Sequence, residues 1–186
     1  MRKVVLKLSD YSVDGIIGVE NTEFFDFCRA LPDDPEQEAW ARSFLQGAAV
    51  HIMGRMTFQG MAQYFPTATD HPYAAVMNAA KKVVFSTTLT ATDWANSTIL
   101  GDELTQGIDR LRREGSGEIV AHGGISFAQS LVRLDLVDEY RLSVFPYLAG
   151  QGPSLFADGA KPRDLEHVSS TAFSNGIVGH VYRRPR

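Results

Sequence analysis

AAVHIM (48–53) is the segment that most narrows the fold, because its apolar residues do not alternate with polar ones. A strand with one wetted face alternates, whereas a strand without alternation has both faces covered, as in the interior of a parallel sheet. Parallel neighbours cannot be joined by a tight hairpin and need crossovers, usually helical. The rest of the chain supplies both parts. RKVVLKLS (2–9) alternates and reads as a first strand, and AAVHIM is the second. KKVVFS (81–86), a short STIL (97–100), EIVAH (118–122) and VDEYRLSVFPY (137–147) follow as the third to sixth.

Helical periods lie between these strands. In DDPEQEAWARSFLQG (33–47), Asp34 is an N-cap, Pro35 takes the first helical position and Gln37 completes a capping-box spacing. Trp40 and Phe44 share a face there, and Gly47 ends the helix. Short helices are expected from about Thr57 and from Pro72. DELTQGIDRLRREG (102–115) repeats Leu104, Ile108 and Leu111 on one face, and a further helix is built on Phe127, Leu131 and Leu134. At the end, DLEHVSSTAF and GIVGHVYRR flank SNG (174–176), where Asn-Gly tolerates the positive φ of a tight turn. The expectation is a single α/β domain over 1–186, with a mostly parallel central sheet and an antiparallel C-terminal hairpin.

Composition excludes some classes. A formal net charge of -4, with RLRREG (110–115) the only short basic run, argues against a nucleic-acid partner and reads as a solvated helix end. Cys28 is the only cysteine, so no internal disulfide and no multi-cysteine zinc site can form, which suits a reducing cytosol. Strand-like residues from Lys3 leave no room for a signal peptide, and no apolar run is long enough to span a membrane, so a cytoplasmic location is expected. The five histidines show no metal-ligand spacing, and His51, His122 and His180 read as core or edge residues of strands.

In open α/β sheets ligands bind beyond the carboxyl ends of the strands. After the second strand comes GRMTF (54–58), where Gly54 permits close backbone approach, Thr57 adds a hydroxyl at a helix start and Arg55 places a guanidinium beside it. That is an anion site of the helix-N-terminus kind, or else a glycine corner with a capping threonine and a surface arginine. After the third strand FSTTL (85–89) offers hydroxyls, and after the fifth GGISF (123–127) offers a corner or a phosphate cradle. Three such ends along one sheet edge suit an extended ligand with several phosphates, such as a dinucleotide. Neither G-x-G-x-x-G after the first strand nor G-x-x-x-x-G-K-[ST] occurs, so the site has another architecture.

These residues resemble a known family. SVDGIIG (12–18), MGRMTF (53–58), VVFSTTL (83–89) and GGISF (123–127) are similar to the strand ends of the dihydrofolate reductase fold, a three-layer arrangement. LVDEYRLSVFPYLAGQGPSLF (136–156) resembles the reductase domain of bifunctional riboflavin-biosynthesis deaminase-reductases and their stand-alone bacterial relatives. The resemblance implies NADPH as cofactor and no metal. Gly54, Arg55, Met56 and Thr57 would hold the pyrophosphate and, through Arg55, the adenosine 2′-phosphate, with Ser86 and Thr87 alongside. Gly123, Gly124, Ile125 and Ser126 would cradle the pyrophosphate from the other side, with a cis Gly-Gly bond, and Ile16, Ile17 and Gly18 would lie along the nicotinamide.

The implied reaction is hydride transfer to a C=N or C=O group, converting the ribosyl group of an aminopyrimidine phosphate to ribityl. Asp14 ranks first as the catalytic acid, ahead of Glu20, Glu23 and Asp26. Folate reductases grip the substrate's glutamate tail with an arginine, and 58–80 contains none. Dihydrofolate reductase is therefore the alternative reading, and a non-catalytic nucleotide-binding protein is a third. The chain has neither the length nor the cysteines for the fused zinc deaminase. The partner is a pyrimidine- or pterin-type small molecule, and the apolar C-terminal strands are expected to support a homodimer. Trp94 has no role assignable from sequence.

Overall fold

Apolar strands with both faces covered do stack in parallel here. The computed structural model of the chain describes residues 1–156 and 161–185. The strands are β1 (Val4–Ser12), β2 (Ala48–Gly54), β3 (Lys82–Phe85), β4 (Ser97–Leu100), β5 (Glu118–His122), β6 (Glu139–Phe145), β7 (Glu166–Ala172) and β8 (Val178–Arg183). They form one sheet in the order β4-β3-β2-β5-β1-β6-β8-β7. Every pair from β4 to β6 is parallel, and β8 pairs antiparallel with both β6 and β7. The SNG turn closes the last hairpin, with Phe173 N–H donating to the Ile177 carbonyl at 2.9 Å.

Six helices are described: α1 (Glu23–Ala30), α2 (Pro35–Gln46), α3 (Arg55–Tyr64), α4 (Ala74–Ala79), α5 (Leu104–Arg113) and α6 (Ile125–Arg133). They cover both faces of the sheet. Ile108 and Leu111 of α5 and Ala128 and Leu131 of α6 bury Val4, Leu6, Leu8, Ile52 and Ile119 on one face. On the other, Leu45 of α2, Phe58 of α3 and Met77 of α4 pack on Met53 and Val84, while Phe24 and Cys28 of α1 pack on Phe145. Asp34 caps α2 as expected, accepting from the Glu36 and Gln37 amides at 2.8 and 2.9 Å. Its other oxygen accepts from Ser174 Oγ at 2.6 Å, which ties α2 to the C-terminal hairpin.

Some boundaries differ from the sequence expectation. The helix expected from Pro72 begins at Ala74, because Tyr73 occupies its N-cap. Strand β1 runs on to Ser12, and its last residues stay buried by pairing with β6 beyond a bulge. Trp94 proves to be core. Its indole N–H donates to Asn78 Oδ1 at 2.8 Å, it stacks on Phe65, and Lys82 Nζ lies 4.4 Å from its ring centroid. Among the described residues no helix is long and apolar enough to cross a membrane.

The face under α1, α2 and α4 carries a row of basic side chains across four adjacent strands: Lys82, His51, His122 and Lys7. Lys82 Nζ is satisfied by the Met77 and Ala80 carbonyls at 2.8 and 2.7 Å, closing the end of α4. His51 Nδ1 and His122 Nε2 share a proton across 2.7 Å. Burial, and then the neighbouring lysine, holds His51 down at about 4, and burial pushes His122 well below the ordinary range. The pair is therefore neutral near pH 7, and Lys7 is the end of the row that meets open space.

Candidate functional site

The parallel strands deliver their carboxyl ends to one edge, and the three turns singled out by sequence meet there. Gly54 is the N-cap of α3 and Gly124 that of α6, and neither helix start has a side-chain cap. By contrast, Thr22, Asp34 and Glu103 cap α1, α2 and α5 with side-chain oxygens. Two helices of ten and nine residues thus present uncapped amides side by side. Such amides carry partial positive charge and favour an anion.

The two turns are stitched together. Thr57 Oγ1 donates to the Gly123 carbonyl at 2.8 Å, so its proton serves the protein and its lone pairs remain for a ligand. Gly124 has φ +127, and a Cβ there would stand 2.3 Å from Thr57 Oγ1. A Cβ at Gly54 would stand 3.2 Å from Phe127 Cβ, a tight but tolerable approach. The cis Gly-Gly bond expected from the resemblance is not present: no described peptide bond is cis. The positive φ of Gly124 makes the corner instead, which a trans peptide allows when the residue has no side chain.

The other expected cofactor residues are placed as follows. Arg55 and Met56 are exposed at the start of α3, and among the described residues Arg55 bonds Gln59, Nη1 to Oε1 at 3.1 Å. In the first turn of α6, Ile125 is half-buried and Ser126 beside it is exposed. Ser86 Oγ accepts from the Leu89 amide at 2.9 Å, ordering its own turn, and Thr87 is exposed next to it. Ile17 and Gly18 fold back over the end of β1, with the Ile17 amide donating to the Pro153 carbonyl and the Gly18 amide to the Asp10 carbonyl, each at 2.9 Å.

Asp14 does a different job from the one expected. Its carboxylate accepts from Ser12 Oγ at 2.6 Å and from the Ala149 and Gly150 amides at 3.0 and 2.7 Å. Those bonds, the Ser12 hydroxyl first, hold it down at about 2. An acceptor so fully used keeps no proton to give near neutral pH. Asp14 therefore clamps the 12–18 segment to the 149–150 loop. Glu20, Glu23 and Asp26 are exposed and lie outside the cavity that adjoins the strand ends.

That cavity, of about 480 Å³, opens under α1 and α2. Lys7, Ser9 and Asp10 of β1, Arg29 of α1, Gln37 of α2 and Tyr73 are among its walls. Lys7 is buried, and its ammonium donates to Ser9 Oγ at 2.6 Å, with no carboxylate bound to it among the described residues. Burial brings it down to about 8, within reach of a neutral amine. Arg29 Nη2 bonds Asp10 Oδ1 at 2.7 Å. Cys28 forms part of the wall, but burial and then the Asp10 charge push its thiol up to about 12, so it stays protonated. Sequence reading missed Lys7, Asp10 and Arg29. The only local trace was a lysine in an otherwise buried stretch of strand.

Gly18 packs against the cavity side of the site. Its amide is bonded to Asp10, and a Cβ on it would stand 2.8 Å from Asp10 Cβ. The segment folded over β1 is thus held against Asp10, a residue of the cavity wall.

Comparison with known proteins gives a consistent result. The family model described as the RibD C-terminal domain matches residues 2–179. The Bacillus subtilis (strain 168) protein YyaP is 30% identical over 185 residues, covering 97% of this chain and 94% of that protein. A proposed riboflavin biosynthesis protein from Shewanella sp. PV-4 superposes with a TM-score of 0.78 at 20% identity, covering 99% of each chain. A pyrimidine reductase-like protein from Corynebacterium diphtheriae superposes with a TM-score of 0.63 at 13% identity, covering 100% of this chain and 92% of that one.

Proposed function

The chain belongs to the RibD C-terminal domain family, and on that premise we propose that it is an NADPH-dependent reductase of riboflavin-type metabolism. The observation that carries this reading is the pair of uncapped helix N-termini, α3 and α6, opening beside a cavity with a buried lysine. The amides after Gly54 and Gly124 would hold the pyrophosphate, with the lone pairs of Thr57 facing the same cleft. Arg55, exposed and bonded among the described residues to a neutral glutamine, suits a phosphate monoester, which NADPH carries and NADH lacks. Ser86 and Thr87 would flank that phosphate, and Ile17 and Gly18 would face the nicotinamide. NADPH, when bound, supplies a hydride to a C=N or C=O carbon.

The substrate in this reading is an aminopyrimidine bearing a ribosyl phosphate, whose ribosyl group is reduced to ribityl. Lys7 would meet it with a compact donor at the cavity floor, and Ser9, Gln37 and Tyr73 would position it. The test is NADPH oxidation followed by absorbance, with the ribosylaminopyrimidine phosphate and dihydrofolate side by side. Turnover of the pyrimidine phosphate is expected. Turnover of dihydrofolate alone would make the chain a folate reductase, and tight NADPH binding without turnover of either would make it a nucleotide-binding protein.

A further inference from the structure

Strict alternation from Lys7 would send Ser9 into the cavity and Asp10 to the far face with Leu6 and Leu8. The structure departs from that pattern. Between Leu8 and Tyr11 the pairing of β1 with β6 shifts, so that Ser9 and Asp10 together oppose Ser143. All three line the cavity. A bulge of this kind re-aims a side chain, here a carboxyl. Asp10 thereby lines the cavity, while its backbone carbonyl accepts from the amide of Gly18, the residue expected beside the nicotinamide.

From this geometry we infer that Asp10 is the proton donor of the proposed reduction, a role that rests on the reductase reading. Reducing a C=N or C=O bond consumes one hydride, for which a reduced nicotinamide is the source, and one proton at the heteroatom. Asp10 gives that proton, is left as a carboxylate bonded to Arg29, and takes a new proton from water at the exposed mouth. The groups facing it are Lys7 on its own strand and Cys28 and Arg29 on α1, with Asp33, Asp34, Glu38 and His71 in the remaining walls. Burial raises the Asp10 carboxyl above its ordinary range, more than Arg29 and Lys7 lower it. That direction keeps more of it protonated as pH rises, as a donor requires.

The experiment compares wild type with Asp10→Asn and Asp10→Glu. For wild type, kcat/KM should fall as pH rises through the Asp10 titration. Asp10→Asn should lower kcat/KM by about a hundredfold or more and flatten that limb, and Asp10→Glu should recover part of both. Binding of NADPH, followed by fluorescence, should stay within about twofold in Asp10→Asn, since the strand-end amides are untouched. Independently of turnover, carbon-13 titration of the side-chain carboxyl in the cofactor-free protein should show Asp10 protonating above the ordinary aspartate range of about 3.9. Turnover that Asp10→Asn leaves unchanged, or an Asp10 that titrates at or below that range, overturns the donor role alone. Absence of wild-type turnover on both substrates overturns the reductase reading and the donor role with it.

Discussion

Gly124→Ala tests the strand-end cleft most directly, because three separate costs can be worked from the geometry. The backbone at 124 has φ +127, where a side chain carries about 1–3 kcal/mol of strain. The new Cβ would stand 2.3 Å from Thr57 Oγ1, so the threonine must rotate away. Rotation breaks its 2.8 Å bond to the Gly123 carbonyl, worth about 0.5–1.5 kcal/mol. Stiffening the unfolded chain returns about 0.4–1 kcal/mol. The net loss is about 0.5–4 kcal/mol, or roughly 1–16 °C in Tm for a domain of this size. Gly123→Ala is the control. Its Cβ would meet only the mobile end of Leu8, at 2.8 Å, with no positive φ, and should cost about 1 kcal/mol. Thr57→Val isolates the hydrogen bond alone.

Thermal unfolding followed by circular dichroism reads the stability, and quenching of tryptophan fluorescence reads NADPH affinity. Gly124→Ala should remain folded and lose NADPH affinity by well over tenfold, because separating the two turns would disperse the amides proposed to meet the pyrophosphate. Equal shifts in Gly124→Ala and Gly123→Ala would refute the argument from φ. Unchanged NADPH affinity in Gly124→Ala would refute the cleft.

Arg55→Ala should weaken NADPH far more than NADH in the same fluorescence titration, and equal losses would show that Arg55 does not read the 2′-phosphate. Asp14→Asn should lower activity through a looser 12–18 segment while keeping the shape of the pH profile; loss of the high-pH limb would make Asp14 the proton source instead of Asp10. Asp34 is held down at about 2, by the Ser174 hydroxyl first and the α2 amides after it. A depressed carboxyl stabilises the fold fully above its unfolded value of about 3.9 and loses that contribution as pH falls toward 2. Asp34→Asn should therefore be less stable than wild type at pH 6, with the gap closing between pH 4 and 2 in denaturant titrations. A gap independent of pH would show that charge at Asp34 does not matter.

How much of this was legible depended on how locally each feature is encoded. The parallel sheet could be read from AAVHIM and from the spacing of the helical periods, since burial on both faces and the need for crossovers act within a few residues. The meeting of the strand-end turns was legible for the same reason. An uncapped helix start after a glycine is written in consecutive residues, and the glycines of GRMT and GGIS sit where the backbone has to come close. The Gly-Gly geometry was not legible in the same way, because the turn also bonds outside itself: the Gly123 carbonyl accepts from Thr57, 66 residues away in sequence.

The clamp made by Asp14 was hidden by a similar route. Its partners Ala149 and Gly150 lie 135 and 136 residues further along the chain, and nothing around SVDG signals that its lone pairs are already taken. The cavity was harder still, because its walls come from β1, α1, α2, β6 and the C-terminal hairpin. Asp10 shows why. In KLSDYS it alternates away from Lys7 and belongs with the core face, and only the shift against β6 turns it into the cavity. A bulge depends on pairing between strands more than a hundred residues apart, so its sequence trace is an aspartate in a place where a buried strand should not tolerate one. In a strand buried on either side of Ser9 and Asp10, a carboxyl persists most readily with a partner or a use, and here Arg29 is the partner and the cavity points to the use.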